Sequence, residues 1–237
     1  MLAYCRADGG CSNPAGVGGA VVGIITTHEQ WLQVRLQGIG ASEASAIIGL
    51  NPYMSNVDLW EIKTGRQKSP DISSNAHVAY GHAAEGPLRE LFALDYPKYE
   101  VTYGGAFDMV RNEEYPFIFA TLDGRLIEKD TGRRGVYEGK TTEILKSMSY
   151  EKWKGQVPDN YYVQLLHQLL ATGWEFAVLN AQLKRTYGDD VRTETRRFFL
   201  ERAEVQSDLD FLLEKELKFW EYVKGDERPP LVLPNIF

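Results

Sequence analysis

Four short β-prone segments follow one another between residues 99 and 141, and they limit what the chain can fold into. Tyr99 to Asp108, Phe117 to Leu122, Gly124 to Glu128 and Gly135 to Thr141 are rich in aromatic and β-branched residues. Turn signals such as Asp130-Thr131-Gly132 separate them. Strands joined by turns this tight pair with their neighbours, so the region reads as an antiparallel meander. Helical patterns precede it. Thr27 can cap a helix from His28 to about Gln37, Gly38-Ile39-Gly40 breaks it, and Ser42 reads as the N-cap of a second short helix. Val57 to Thr64 is a third helix, ended by Gly65, and Ala76 to Asp95 a fourth, interrupted at Gly86-Pro87. A helix from Asp159 to Thr172, strands near Phe176 to Leu183 and Thr193 to Leu200, and an amphipathic helix from about Glu204 to Lys224 complete the chain. Helices, a meander, a helix and more strand describe a mixed α/β (α+β, mixed-sheet) single domain over residues 26–237.

Residues 1–25 are expected to be a flexible lead-in without chemistry. Their apolar run, Ala20 to Ile25, is far shorter than the ~20 residues of a membrane span, and they lack the pattern of a secretory signal. Cys5 and Cys11, the only cysteines, make neither a disulfide framework nor a structural zinc or iron–sulfur site, so a reducing cytoplasm is the expected compartment. The net charge of −7 counts against tight non-specific binding of nucleic acid by a monomer. It does not count against a metal site on DNA, because bound cations reverse the local field.

The chemistry-bearing residues lie in and around the meander. Glu138 and Lys140 are two apart on a strand and project to one face. A carboxylate there can hold a hard cation, and the ammonium can orient a water toward a phosphate. Taken alone, the pair is more simply a solvated ion pair. Asp123 stands 15 residues earlier, close enough for one hairpin to set both carboxylates side by side. Two acids and a lysine on adjacent strands suit metal-assisted phosphodiester hydrolysis. Glu85 is a third acid. It could pair with Arg89 one turn on, but on a continuous helix it shares an apolar stripe with Val78, Gly81, Leu88 and Phe92, and a carboxylate there needs a partner.

With these residues in place, the chain resembles the YqaJ-type viral recombinases, the family of phage lambda exonuclease within the PD-(D/E)xK nuclease superfamily. Six segments carry the resemblance: Gly-Ile-Gly-Ala-Ser-Glu-Ala-Ser (38–45), Leu-Trp-Glu-Ile-Lys-Thr-Gly (59–65), Gly-His-Ala-Ala-Glu-Gly-Pro (81–87), Ala-Thr-Leu-Asp-Gly (120–124), Glu-Gly-Lys (138–140) and Tyr-Tyr-Val-Gln-Leu-Leu-His-Gln-Leu (161–169). The resemblance implies a restriction-endonuclease-like core with flanking helices. It assigns Asp123, Glu138 and the Gly139 carbonyl to a Mg²⁺ ion that Mn²⁺ could replace, Lys140 to catalysis, and Glu85 to the acid of the preceding helix. Gln164 and Tyr161 match the motif that lines the site from the following helix, although Tyr161, Gln164 and Gln168 could equally form an exposed polar stripe. Arg35 and Ser42 correspond to a 5′-phosphate pocket, or else to a surface arginine and a simple cap. Gly139 departs from the family, which usually has a bulkier residue between the glutamate and the lysine.

The function implied is Mg²⁺-dependent 5′→3′ digestion of linear double-stranded DNA, giving 3′ single-stranded overhangs for a single-strand annealing protein. The setting is a bacterial host cytoplasm or a prophage, and the implied assembly is a homo-oligomer, a ring-shaped trimer in some relatives. A structure- or sequence-specific endonuclease of the same fold, or a non-catalytic DNA-binding module, are the alternatives. A two-carboxylate glycosidase would leave Lys140 without a role. Phe219, Trp220 and Tyr222 are expected in the core or at a subunit interface.

Overall fold

The computed structural model describes residues 20–21, 25–72, 74–144 and 150–233. The expected lead-in falls outside these residues, apart from Ile25 and a two-residue strand, β1 (Ala20–Val21). Helix α1 (His28–Arg35) starts where expected, with the Thr27 side chain accepting from the Gln30 amide at 3.2 Å. After β2 (Ile39–Gly40) comes the four-residue α2 (Ala44–Ile47), whose N-cap is Glu43 and not Ser42. The turn is closed by the Glu43 carboxylate, which accepts from the Gly40 amide at 2.8 Å and leaves Ser42 exposed ahead of the helix. Helix α3 (Asn56–Lys63) carries a capping box between Ser55 and Asp58.

Helix α4 (Ala76–Asp95) runs straight through Gly86-Pro87, against the expected interruption. Proline removes only one backbone bond there. Immediately beyond it, Leu88 and Phe92 are buried, with Phe92 packed on Tyr137 at a centroid distance of 5.2 Å. Burial of two large side chains, worth roughly 1.5–3 kcal/mol each, outweighs the local break.

The meander is divided between two sheets. Of the expected strand from Tyr99 to Asp108 only β3 (Tyr99–Thr102) forms; the chain turns at Gly104-Gly105, where Gly105 takes φ +106°, and a further strand that the sequence pattern does not mark, β4 (Met109–Arg111), follows. With β5 (Ile118–Thr121), β4 joins a four-stranded sheet ordered β1-β4-β5-β2, in which β2 and β5 are parallel. Strand β3 joins β6 (Gly124–Glu128), β7 (Arg134–Glu143), β8 (Phe176–Tyr187) and β9 (Asp190–Glu201) in a five-stranded sheet ordered β3-β6-β7-β8-β9. Only β7 and β8 are parallel in it, as a crossover through α5 (Asp159–Thr172) requires.

Helix α5 is the centre of the core. Leu165, Leu169 and Ala171 are fully buried, as are Leu179, Ala181 and Leu183 of β8. After a 3-10 turn (Arg202–Glu204), α6 (Gln206–Lys224) covers α5 with Leu209, Leu212 and Phe219. Trp220 stacks on Phe117 at 5.2 Å, and Tyr222 packs against the same core. Phe219 is thus a core residue, and Trp220 and Tyr222 are half-buried against that core. No described helix is long and apolar enough to cross a membrane.

Candidate active site

The site grows from a mismatch in strand length. Strand β6 begins at Gly124, opposite Tyr137, whereas β7 continues to Glu143 along β8. From Glu138 onward, no strand among the described residues therefore lies beside one edge of β7. Asp123 fills the opening from the turn between β5 and β6, and its Oδ2 accepts from the Gly139 amide at 3.0 Å. Arg89 of α4 holds the same turn by donating to the Asp123 carbonyl at 2.7 Å. The amide and carbonyl of one strand residue face the same edge, so the Gly139 carbonyl also looks into this opening.

Glu138 and Lys140 project from β7 toward α5. The Glu138 side chain is 3% exposed, and its Oε1 accepts from Lys140 Nζ at 2.5 Å and from Gln164 Nε2 at 2.6 Å. Its Oε2 accepts from Gln168 Nε2. The polar face of α5 is thus turned to Glu138 rather than to solvent, with the Tyr161 ring 5.7 Å from Lys140 Nζ. Glu85 is half-buried and lies 3.1 Å from His82 Nδ1, so its partner on α4 is the histidine one turn before it and not Arg89.

The local charge is unbalanced. Burial and the charge of Glu138 push the Asp123 carboxyl up to about 8, with Glu85 adding to the effect and Lys140 opposing it. Burial works against the Lys140 ammonium, yet Glu138 and Asp123 outweigh it and raise its pKa above the ordinary value. Asp123 is therefore ionised at neutral pH only if more positive charge arrives. A divalent cation fits that deficit. An ionised carboxylate offers about four acceptor positions, and the three hydrogen bonds to Glu138 leave one. The donor set would be Asp123, Glu138 and the Gly139 carbonyl, all oxygen, as a hard cation prefers. Gly139 does not distort it: a Cβ there would meet Tyr137 Cε1 at 3.6 Å and Asp123 Oδ2 at 3.7 Å, ordinary contacts.

Arg35 and Ser42 lie in the neighbouring α1–α2 region. Arg35 Nη2 donates to Glu43 Oε1 at 2.6 Å, and its guanidinium lies over Trp31 at 4.7 Å from the ring centroid. Lys63 holds the other oxygen of Glu43 at 2.7 Å. Burial alone would raise the Glu43 pKa, but the two cations lower it to about 2. Sequence reasoning missed this clamp, as well as Arg89 and the contact of Gln168 with Glu138. Gln168 was visible as the residue one turn beyond Gln164. Nothing in the pattern of Glu43 or Lys63 tells a buried pair from a surface one.

The chain matches the YqaJ-like viral recombinase domain over residues 30–175. It is 30% identical over 209 residues to the uncharacterized protein YqaJ of Bacillus subtilis (strain 168), a match covering 86% of this chain and 59% of that protein. The chain thus spans less than two thirds of the length of that relative. Its fold is similar to that of an alkaline exonuclease (LHK-Exo) from Laribacter hongkongensis, with a TM-score of 0.55, 20% identity, and coverage of 84% of this chain and 97% of the other. The LHK-Exo complex with dAMP superposes with a TM-score of 0.54, at 20% identity and the same coverage. A phage related exonuclease from Haemophilus somnus 129PT superposes with a TM-score of 0.50, at 12% identity, over 80% of this chain and 96% of that one. The mixed α/β core expected of a PD-(D/E)xK fold is the one observed. By its sequence match over more than half its length, the chain belongs to the YqaJ-like viral recombinase domain family.

Proposed function

We propose that this protein is a Mg²⁺-dependent exonuclease that digests linear double-stranded DNA from 5′ to 3′. The observation that carries the reading is the meeting of Asp123, Glu138 and Lys140 at the open edge of β7, where Asp123 needs added positive charge to ionise at neutral pH. Asp123, Glu138 and the Gly139 carbonyl would hold the cation, Mg²⁺ or Mn²⁺ in its place. Bound there, it would supply an activated water and neutralise charge on the phosphate.

The chain's own residues do the rest. Gln164 and Gln168 hold the Glu138 carboxylate from α5, fixing its direction before substrate arrives. Lys140 keeps its proton beside two carboxylates and donates it as a hydrogen bond toward the reacting phosphate. Tyr161 shields the ammonium from one side, and Glu85 adds a third negative charge from α4. Water adds to phosphorus as the P–O3′ bond breaks. The released nucleotide carries a 3′-hydroxyl, and the shortened strand begins with a new 5′-phosphate. Arg35 and Ser42 are the residues we assign to that phosphate. Arg35 presents a fork suited to it, with one nitrogen already on Glu43. The remaining 3′ strand would pass to an annealing protein, and a ring-shaped homo-oligomer would keep the enzyme on its duplex; both rest on the family.

The test is incubation with Mg²⁺ and a linear duplex bearing 5′-phosphates, the same duplex with 5′-hydroxyls, and a covalently closed circle. Progressive loss of the phosphorylated duplex, an intact circle, and no activity in Asp123→Ala or with EDTA are expected. Cleavage of the circle would make the protein an endonuclease. A folded protein that cuts none of them would be a binding module.

A further inference from the structure

Strands β8 and β9 pair along their whole length, but β7 stays beside β8 only as far as Glu143, opposite Lys184. Beyond that point no third strand among the described residues pairs with the hairpin, Tyr150 packs on one face of it, and residues 186–195 are exposed. A two-stranded ribbon is marginal by itself in water, and its exposed side chains are open to a ligand. Between residues 184 and 197 the sequence has five Lys or Arg against three Asp or Glu, in a chain of net charge −7.

Register decides which of these side chains face the active site. Lys140 pairs with Ala181, and side chains two apart share a face, so Arg185 and Tyr187 point to the same side of the sheet as Lys140. Across the ribbon, Arg192 stands directly opposite Arg185, and Arg196 opposite Ala181. Like charges directly opposite one another destabilise a strand pair. Among the described residues neither arginine has a buried carboxylate partner. Among the described residues Arg192 has a solvent-exposed pair with Asp190 at 3.0 Å, a kind worth little. Arg185 has no ion pair among the described residues; it lies over the Tyr150 ring at 3.8 Å, and its charge, with that of Arg196, helps to hold the Glu194 carboxyl below its ordinary value. Arg185, Arg192, Tyr187 and Glu194 line an open pocket of about 380 Å³ on this face. Arg196, by contrast, is committed to Glu194 and the Trp153 carbonyl.

We infer that Arg185 and Arg192 bind backbone phosphates of the DNA duplex downstream of the cleaved bond. Four residues along β8 separate Ala181 from Arg185, about 13 Å at the rise of a strand. That distance is about four base pairs along a duplex axis. The inference rests on the nuclease reading for its substrate, and it adds a backbone contact that no candidate catalytic residue makes.

The experiment measures binding of a short 5′-phosphorylated duplex by fluorescence anisotropy over a salt series, with Ca²⁺ in place of Mg²⁺. The parent is compared with R185Q/R192Q, with R185K/R192K, and with K215Q/K218Q, which removes the same charge from α6. Each lost phosphate contact lowers the log–log salt slope by about 0.9. R185Q/R192Q should therefore lose about two units of slope and at least tenfold in affinity, while R185K/R192K keeps the slope and K215Q/K218Q matches the parent. In Mg²⁺, R185Q/R192Q should show a raised KM for the duplex with kcat within about twofold of the parent. An unchanged slope in R185Q/R192Q, or an equal loss in K215Q/K218Q, would overturn the inference while leaving cleavage by the parent intact. A parent that binds with the expected difference but never cleaves would remove the nuclease reading and keep the ribbon contact. A parent that binds no duplex would remove both.

Discussion

Glu138 is 2% exposed and accepts three hydrogen bonds, so the groups that donate to it decide how firmly it is aimed. Lys140 and Gln164 share one oxygen. Among the described residues Gln168 alone holds the other, and its own buried Oε1 finds no partner among them. An amide whose carbonyl is sacrificed to keep its NH₂ on a carboxylate is oriented by that carboxylate. Gln168→Ala should therefore loosen Glu138 without touching substrate. The expected outcome is a Mg²⁺ requirement raised about 10–100-fold, read as the midpoint of a metal titration of cleavage, in a protein whose thermal unfolding still shows one cooperative transition. An unchanged midpoint would show that Gln168 serves only packing. At this scale much of the site was legible. Opposite charges two apart on a strand and an acid before Gly124 were enough to single out Asp123, Glu138 and Lys140. The donors around them were not, because Gln164 and Gln168 carry no charge and lie on a helix whose depth the sequence does not state.

Between elements, the least legible feature is the ion cluster joining α1, the turn before α2, and α3. Glu43 takes Arg35 from the end of α1, Lys63 from the end of α3 and the Gly40 amide beside β2. Lys63 is itself buried, and it also donates to the Arg35 carbonyl at 2.7 Å. Removing one partner of a buried pair leaves the other uncompensated, at a cost of about 3–5 kcal/mol. Lys63→Met should lose about that much in urea unfolding and, by releasing Glu43 toward Arg35, weaken any preference for 5′-phosphorylated ends. A loss below about 1 kcal/mol would mean that Arg35 alone satisfies Glu43. Elsewhere, element types were read correctly, and their limits failed where tertiary contact overrode local signals. Pro87 did not interrupt α4 because Leu88 and Phe92 anchor the helix just beyond it. The β8–β9 hairpin extends beyond its sequence pattern because apolar alternation stops where β7 no longer lies beside it. Which strands share a sheet was also out of reach, since β4 is only three residues long and carries no alternating pattern that separates it from the turn at Gly105.

For the molecule as a whole, two buried ionic contacts set opposite limits on the pH range of stability. Glu43 is held at about 2 against an ordinary 4.5, so the native state keeps it ionised. A lowered carboxyl contributes stability above about 4.5 that is lost as pH falls toward 2, on the order of 3 kcal/mol in all. His167 sets the other limit. Its Nδ1 faces Glu216 Oε1 at 2.6 Å and its Nε2 faces the Phe119 carbonyl at 2.9 Å, both acceptors, so only the doubly protonated ring satisfies both. Burial would lower its pKa, but Glu216 and the Phe119 carbonyl raise it above the ordinary 6.5. A raised histidine contributes stability that is fully present below 6.5 and lost as pH climbs through its folded value. Because this contact ties α5 to α6 and to β5, its loss loosens the helix that carries Gln164 and Gln168. Asp123, raised to about 8, tilts the same limb when no cation is bound, so the parent profile alone does not isolate the histidine. Glu216→Gln does. The variant should be less stable than the parent below pH 6.5 by several kcal/mol, and that gap should close as pH rises, because the parent loses the same contact by deprotonation. Urea unfolding across the pH range, with Mg²⁺ present throughout to keep Asp123 ionised, measures the gap. A gap that stays constant with pH would mean that His167 is neutral in the folded protein and that its hold on α6 is a hydrogen bond without charge.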